Sequence, residues 1–299
     1  MSHSNTVEFV TNGGWDERIL VFRNAPLVDT FAIISARYVV VVDTMINAVT
    51  AEKVWERIRP YLVNGRSLLV VNTHADYDHS WGNQFFAAMG VPIIGRRVSV
   101  PIFSEPDSTA FLQRVQTDEP DIFAQVVLTP PTILYDEQLT IDGGDLTLQL
   151  LATPGHTVDH AALYIPEINT LLAADAAELP YPMARTPAGL PAMRQSLAKL
   201  AAINAATVLY CHAPTDIGAQ LLHDNIAYFD KLEAACRAAL ARGVSANPPE
   251  DADLLALVGL AYETAVPPTA IWQNVHEYYR THGHAAQLRA MLASTAAVQ

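Results

Sequence analysis

Cysteine is scarce: Cys211 and Cys236 are the only two in 299 residues. A pair cannot build a disulfide framework, and a chain this long can bury an apolar core without one. Positive charge is scarce as well, with 18 Lys and Arg against 31 Asp and Glu and a net charge of −13. That balance speaks against nucleic acid, whose binding rests on cations set against phosphates. It speaks equally against anionic membrane surfaces. Long apolar runs are missing: no stretch nears the roughly 18 uncharged residues of a membrane span. The first residues show neither a basic nor an apolar leader pattern. Neither a Gly-rich phosphate loop nor a Gly-x-Ser-x-Gly elbow is present, so P-loop and serine-hydrolase chemistry lack support. These absences lead us to expect a cytoplasmic protein that acts on a small molecule, with no nucleic-acid and no membrane partner.

What is present is 51% hydrophobic residues with only 16% charged, the composition of a folded globular chain. Residues 19–22, 31–34, 38–42 and 67–72 are β-rich apolar runs closed by turns. Apolar residues at helical spacing predict helices over 47–62 and 81–89, which makes the first part α/β. A helix over 107–125, interrupted at Pro120, comes next. Strands follow at 139–141, 146–151, 161–165 and 170–174, then a helix at 191–204 and a strand at 207–210. Beyond Asp216 the strand signal stops, and helices are expected over 216–242, 251–262 and 269–292. The organisation expected is a catalytic domain over 1–240 and a helical extension over 241–299. That extension is a candidate cap on the pocket or a candidate homodimer interface.

The chemistry gathers where apolar strands end. Val70-Val71-Asn72-Thr73 leads into His74, Asp76, Asp78 and His79. Leu150-Leu151 leads into Thr153-Pro154-Gly155-His156, Leu171-Leu172 into Asp175, and Val208-Leu209 into His212. Val40-Val41-Val42 ends at Asp43. Loops held by rigid strands are where functional residues collect. Imidazole with carboxylate suits a borderline divalent metal such as zinc, iron or manganese. Seven such ligands, one shared, fill two ions with room left for water. Near them, Tyr77 and His160 are candidates to line the pocket or brace the ligands. Cys211 reads as a core residue, and His276, His282 and His284 as surface residues.

These segments resemble the metallo-β-lactamase-fold hydrolases. That family's first motif is His-x-His-x-Asp-His after a strand; here it reads His74-Ala75-Asp76-Tyr77-Asp78-His79. A His in a Thr-Pro-Gly-His-Thr setting, an Asp after a short strand and a final His match His156, Asp175 and His212. The resemblance implies an αββα four-layer sandwich of two mixed sheets flanked by helices, with the metals at one edge. It also implies hydrolysis by a metal-bound hydroxide acting on an ester, lactone, thioester, amide or phosphoester. By the same resemblance His74, Asp76, His156 and Asp175 would hold one ion. Asp78, His79, Asp175 and His212 would hold the other, with Asp78 orienting the nucleophile. The resemblance further implies that Asp43 braces the first loop and that Glu178 and Tyr181, in the Pro-rich loop after Asp175, line the pocket. One residue departs from the pattern: Asp76 stands where the family has His. It lowers the charge sum of a two-ion site with hydroxide from +1 to zero, and it makes iron or manganese competitive with zinc. The alternatives are a non-haem iron oxidoreductase of the same fold, of the persulfide dioxygenase or flavodiiron kind, and a degenerate-site binding protein.

Overall fold

The computed structural model describes residues 3–186 and 188–297. The β-branched runs of the first part form one seven-stranded sheet whose spatial order follows the sequence. Its strands are β1 (Glu8–Val10), β2 (Ile19–Asn24), β3 (Val28–Ile34), β4 (Tyr38–Val42), β5 (Ser67–Val71), β6 (Ile93–Arg96) and β7 (Ile133–Tyr135). Neighbours from β1 to β4 are antiparallel; neighbours from β4 to β7 are parallel. The second sheet holds β8 (Gln138–Asp142), β9 (Thr147–Ala152), β10 (Ala161–Ile165), β11 (Thr170–Leu172) and β12 (Thr207–Leu209) in the order β12-β11-β10-β9-β8. Only its β11–β12 pair is parallel.

β3 is buried along its whole length, whereas β9 alternates half-buried and buried residues. The apolar run Phe31–Ile34 fits a strand covered on both faces, and the two polar residues before it are buried with partners: Asp29 accepts from Arg23, and the Thr30 hydroxyl donates to the Val42 and Asp43 carbonyls. Val21, Phe31, Ile33, Val40 and Val42 of the first sheet pack with Leu148, Leu150, Leu163, Leu172 and Leu209 of the second. Each such side chain contributes roughly 1.5–3 kcal/mol when fully buried. The opposite face of the first sheet, through Val39, Val41 and Val70, is covered by Ala51, Val54 and Ile58 of helix α1 (Ala48–Ile58). Asn47 starts α1 with a reciprocal cap involving Thr50. Helices α2 (Tyr77–Ser80), α3 (Asn83–Ala88), α4 (Pro106–Asp118) and α5 (Pro120–Phe123) follow.

The chain divides into two compact units. One runs to Ala152 and adds Asp159–Ala174 and Thr207–Asp216, so it contains both sheets. The other comprises Thr153–Val158, Asp175–Ala206 and the chain from Ile217 on. Its helices are α6 (Gly189–Ala201), α7 (Gln220–Ala241), α8 (Leu254–Val258), α9 (Tyr262–Ala265), α10 (Ala270–Gln273) and α11 (His284–Ala296). The expected α/β class holds, with two mixed sheets, their helices and a helical C-terminal region. No helix among the described residues is long and apolar enough to cross a membrane.

Two expectations at the C-terminus need correction. The helix expected over 269–292 is broken: α10 ends at Gln273, a π turn spans Tyr279–Gly283, and α11 begins at His284. His284, expected at the surface, is fully buried. It accepts from the Tyr228 hydroxyl at Nδ1 (2.8 Å) and donates from Nε2 to the Leu260 carbonyl (3.0 Å). That pairing makes a buried neutral imidazole tolerable.

Candidate metal centre

The first donor loop begins where β5 ends. Asp43 N donates to the Val71 carbonyl (2.8 Å), and Thr44 N donates to the His79 carbonyl (2.7 Å). The loop after β4 is thereby tied to the one after β5. Asp43 adopts a left-handed backbone, φ 67°, a strained choice for a residue other than glycine. Gly82 closes the motif because a side chain there would collide with the Thr44 carbonyl oxygen, 2.0 Å from an ideal Cβ. Asp76, Asp78 and His79 are carried on one short helical turn, which presents several donors from few residues.

Asp43 is fully buried and anchors this loop. Its Oδ1 accepts from Thr73 N (2.8 Å); its Oδ2 accepts from Thr73 Oγ1 (2.7 Å) and from His79 Nδ1 (2.9 Å). A carboxylate only accepts here, so Nδ1 of His79 carries the proton and Nε2 presents its lone pair. Thr73 spends its hydroxyl proton on Asp43, so its oxygen is the acceptor for His74 Nδ1 at 3.0 Å. One carboxylate thus sets the tautomer of two histidines. His212 Nδ1 donates to the Leu27 carbonyl at 2.8 Å, which turns Nε2 of that ring outward in the same sense.

Three electron-pair donors face one another as a result. His79 Nε2 and His212 Nε2 are 3.4 Å apart, His212 Nε2 is 3.4 Å from Asp78 Oδ2, and His79 Nε2 is 3.8 Å from it. Tetrahedral ligands at about 2.0–2.1 Å from zinc lie roughly 3.3 Å apart. The trio has the donor types, the spacing and the outer hydrogen bonds of a divalent metal site. In the same unit His74 Nε2 lies 3.4 Å from Asp76 Oδ2. His160 is fully buried with its ring centroid 5.1 Å from that of His74.

The second unit carries its own group, His156, Asp175 and Glu178, all buried. His156 turns Nε2 toward Asp175 Oδ2 (3.7 Å) and Nδ1 toward Glu178 Oε1 (3.4 Å). Helices hold this group in place. Asn225 of α7 accepts from Glu178 N and donates to the carbonyls of Glu178 and Pro180, each at 3.0 Å. Ser196 of α6 donates to the Pro154 carbonyl at 2.7 Å. Gly155, φ 147°, lies so close to α6 that an ideal Cβ would be 2.2 Å from Met193 Cα.

Five of the seven expected ligands therefore lie in the first unit, and two, with Glu178, in the second. Tyr77 is half-buried, its hydroxyl 3.3 Å from His3 Nε2. Tyr181, expected at the pocket, is instead fully buried, stacked on Tyr228 and donating to the Tyr279 carbonyl at 2.5 Å. Burial pushes its phenol pKa up. Sequence reading missed Thr73, the Leu27 carbonyl, Asn225 and His3. Of these only Thr73, beside the motif, carried a local signal.

Residues 24–212 match the metallo-beta-lactamase superfamily. A hydroxyacylglutathione hydrolase of Hahella chejuensis (strain KCTC 2396) is 28% identical over 197 residues, which is 61% of this chain and 63% of that protein. The match thus spans less than two thirds of that relative's length. Among solved structures, a metallo-beta-lactamase family protein from Thermus thermophilus aligns with a TM-score of 0.57 and 21% identity, covering 90% of this chain and 86% of that one. The stereoselective inverting sec-alkylsulfatase Pisa1 from Pseudomonas sp. aligns with a TM-score of 0.64 and 16% identity, covering 93% of this chain and 49% of that one. Likeness at these identities concerns the fold.

Proposed function

Because this chain belongs to the metallo-beta-lactamase superfamily, we propose that it is a dinuclear metal-dependent hydrolase of carboxylic esters, lactones or thioesters. The observation that carries this reading is the trio of Asp78, His79 and His212, with both imidazole Nδ1 atoms engaged and three donors 3.4–3.8 Å apart. We assign Asp78, His79, His212 and Asp175 to one ion, and His74, Asp76, His156 and Asp175 to the other. Bound divalent ions supply a more acidic water and an electrophile for the substrate's carbonyl oxygen. The side chains do the rest. Asp43 keeps His74 and His79 in the ligating tautomer, Leu27 does so for His212, and Glu178 faces the outer nitrogen of His156. Asp78 orients the attacking water and accepts its hydrogen bond. Three carboxylates among the ligands lower the charge of the centre and disfavour anionic substrates. The relative named as a hydroxyacylglutathione hydrolase supports acyl transfer to water.

The test is metal analysis of untreated protein together with a panel of neutral esters, lactones and thioesters, with and without chelator. Turnover abolished by chelator and restored by Zn²⁺ or Mn²⁺ is expected. No chelator-sensitive turnover on any member would overturn the proposal. Stoichiometric iron with oxygen uptake would replace it by the oxidoreductase alternative.

A further inference from the structure

Residues 3–7 belong to no helix or strand, yet side chains from three places in the first unit hold them. Asn24, at the end of β2, donates from Nδ2 to the Ser4 and Thr6 carbonyls (2.7 Å each). Lys53 of α1 donates to the Asn5 carbonyl (2.6 Å), and Asn47, the cap of α1, donates to Asn5 Oδ1 (2.7 Å). Glu119, between α4 and α5, accepts from His3 N at Oε2 (2.9 Å). A segment without a ladder partner stays ordered only where such groups answer its main chain, and these make a strap of residues 3–6.

The strap delivers one ring to the donor turn. Glu119 Oε1 lies 2.7 Å from His3 Nδ1, and a carboxylate only accepts, so Nδ1 carries a proton. In the neutral ring Nε2 is left to accept, and it lies 3.3 Å from the Tyr77 hydroxyl, 74 residues along the chain. The Tyr77 ring packs edge-on against His3 and Phe111, with centroids 5.5 Å apart, and against Trp81 at 5.7 Å. His3 in turn packs on Phe123 at 4.9 Å.

Tyr77 stands between Asp76 and Asp78. Asp76 begins α2 without a side-chain cap, and a helix of four residues has too few hydrogen bonds to hold a direction of its own. Its direction is set from outside, on two sides. On one side His79 is bonded to Asp43 and to Thr44 N. On the other, Tyr77 is wedged among rings and reaches His3. We infer that His3, oriented by Glu119, is a positioning residue for this turn. Through Tyr77 it fixes where the carboxylates of Asp76 and Asp78 stand, and so how tightly the centre holds metal. That consequence rests on the metal-dependent reading above; the ordering of the turn does not.

Two measurements on the full chain test this. In metal-free protein, hydrogen exchange of the His79 and Ser80 amides, both bonded to the Asp76 carbonyl (3.1 and 2.9 Å), reads the order of the turn. His3→Ala is expected to speed that exchange about tenfold, while the amides of β3 and β4 keep their rates. Glu119→Ala, which releases His3 without touching the turn, acts in the same direction. Zinc affinity, read by competition with a chromophoric chelator, reports on the centre. His3→Ala lowers it about 10-fold to 100-fold, as for other outer partners of metal ligands, and Tyr77→Phe about fivefold. The double variant loses no more than His3→Ala alone, within about twofold, because one contact carries both effects. His3→Gln, whose amide reaches the same hydroxyl, restores affinity to within about threefold of wild type, a rescue that a role in packing alone does not give. Unchanged exchange in both His3→Ala and Glu119→Ala overturns the inference. Additive losses in the double variant, or faster exchange with unchanged zinc affinity, overturn the link from His3 through Tyr77 to the centre. A wild type that takes up no zinc sinks the metal-dependent reading, and exchange still decides whether His3 orders the turn, so the two failures are separable.

Discussion

The two donor groups are held by different means. In the first unit, hydrogen-bond acceptors decide which nitrogen of each histidine is protonated: a carboxylate for His79, a threonine hydroxyl whose own proton goes to that carboxylate for His74, and a main-chain carbonyl for His212. In the second unit, helices decide where the donors stand: α6 holds the turn before His156 and α7 holds the segment at Glu178. The first arrangement fixes electronic state, the second fixes position. The two groups should respond differently to an isosteric change, which alters protonation while sparing shape, and to a truncation.

The largest effect is expected from Asp175→Ala, because a ligand assigned to both ions is lost. Metal affinity should fall beyond the 10–100-fold typical of outer partners, and hydrolysis should disappear. Two tightly bound ions in that variant, by metal analysis after dialysis, would break the assignment. Asp43→Asn comes next. Its amide keeps the shape but turns a donor toward Thr73 Oγ1 or His79 Nδ1, which forces a tautomer change or leaves a buried group unsatisfied. A loss of about 100-fold in zinc affinity is expected, with ring-nitrogen NMR of His74 and His79 showing the altered tautomers. Glu178→Gln should be milder, about tenfold, because position in that group rests on Asn225 and α6. Equal losses in the two variants would erase the distinction between the groups.

Asp76→His should act in the opposite direction. Replacing a carboxylate by imidazole raises the charge of the two-ion centre by one and favours zinc over harder ions. Calorimetric zinc titration should show tighter binding of one ion with the other little changed, and anionic substrates should gain most. The smallest effect belongs to pH. Burial lowers the pKa of His284, against the opposing influences of the Leu260 carbonyl and Glu263. A depressed folded-state pKa contributes stability above the unfolded value of 6.5 and loses it as pH falls through the folded value. The second unit should therefore soften on acidification below about pH 6.5. A decline of roughly 2–4 °C in Tm per kcal/mol is expected, and His284→Gln should flatten it.

Much of the first unit was legible because its strands are long apolar runs that stop at a polar residue. Tyr38–Val42 stopping at Asp43, and the run before Asn72, needed no more than composition. β6 and β7 were not legible: Ile93–Arg96 contains Gly95 and Ile133–Tyr135 has three residues, too short for a period to register. The seven ligand candidates were legible as strand-end residues. Their outer partners were not, because such contacts join distant stretches: His212 with Leu27 across 185 residues, His3 with Glu119 across 116, Glu178 with Asn225 across 47. Tyr181 misled because a Pro-rich loop reads as exposed, while its ring stacks on a helix that only the fold brings near. The long helix expected near the C-terminus failed at residues 274–276, where the chain leaves helix after α10 although apolar residues keep helical spacing across the gap; the π turn that follows only widens a helix that continues into α11.

Gly155 bears on how this protein could be redesigned. The turn before His156 touches α6 at backbone distance, with no side chain between them to absorb an error. A register shift, an insertion or a bulky substitution near Met193 would pass straight into the placement of His156, although Met193 binds nothing itself. Laboratory selections that randomise the exposed positions of α6 can proceed safely. Those that include Met193 should recover inactive clones whose fold is intact, and a second change restoring activity should map to the 153–158 turn rather than to the donors.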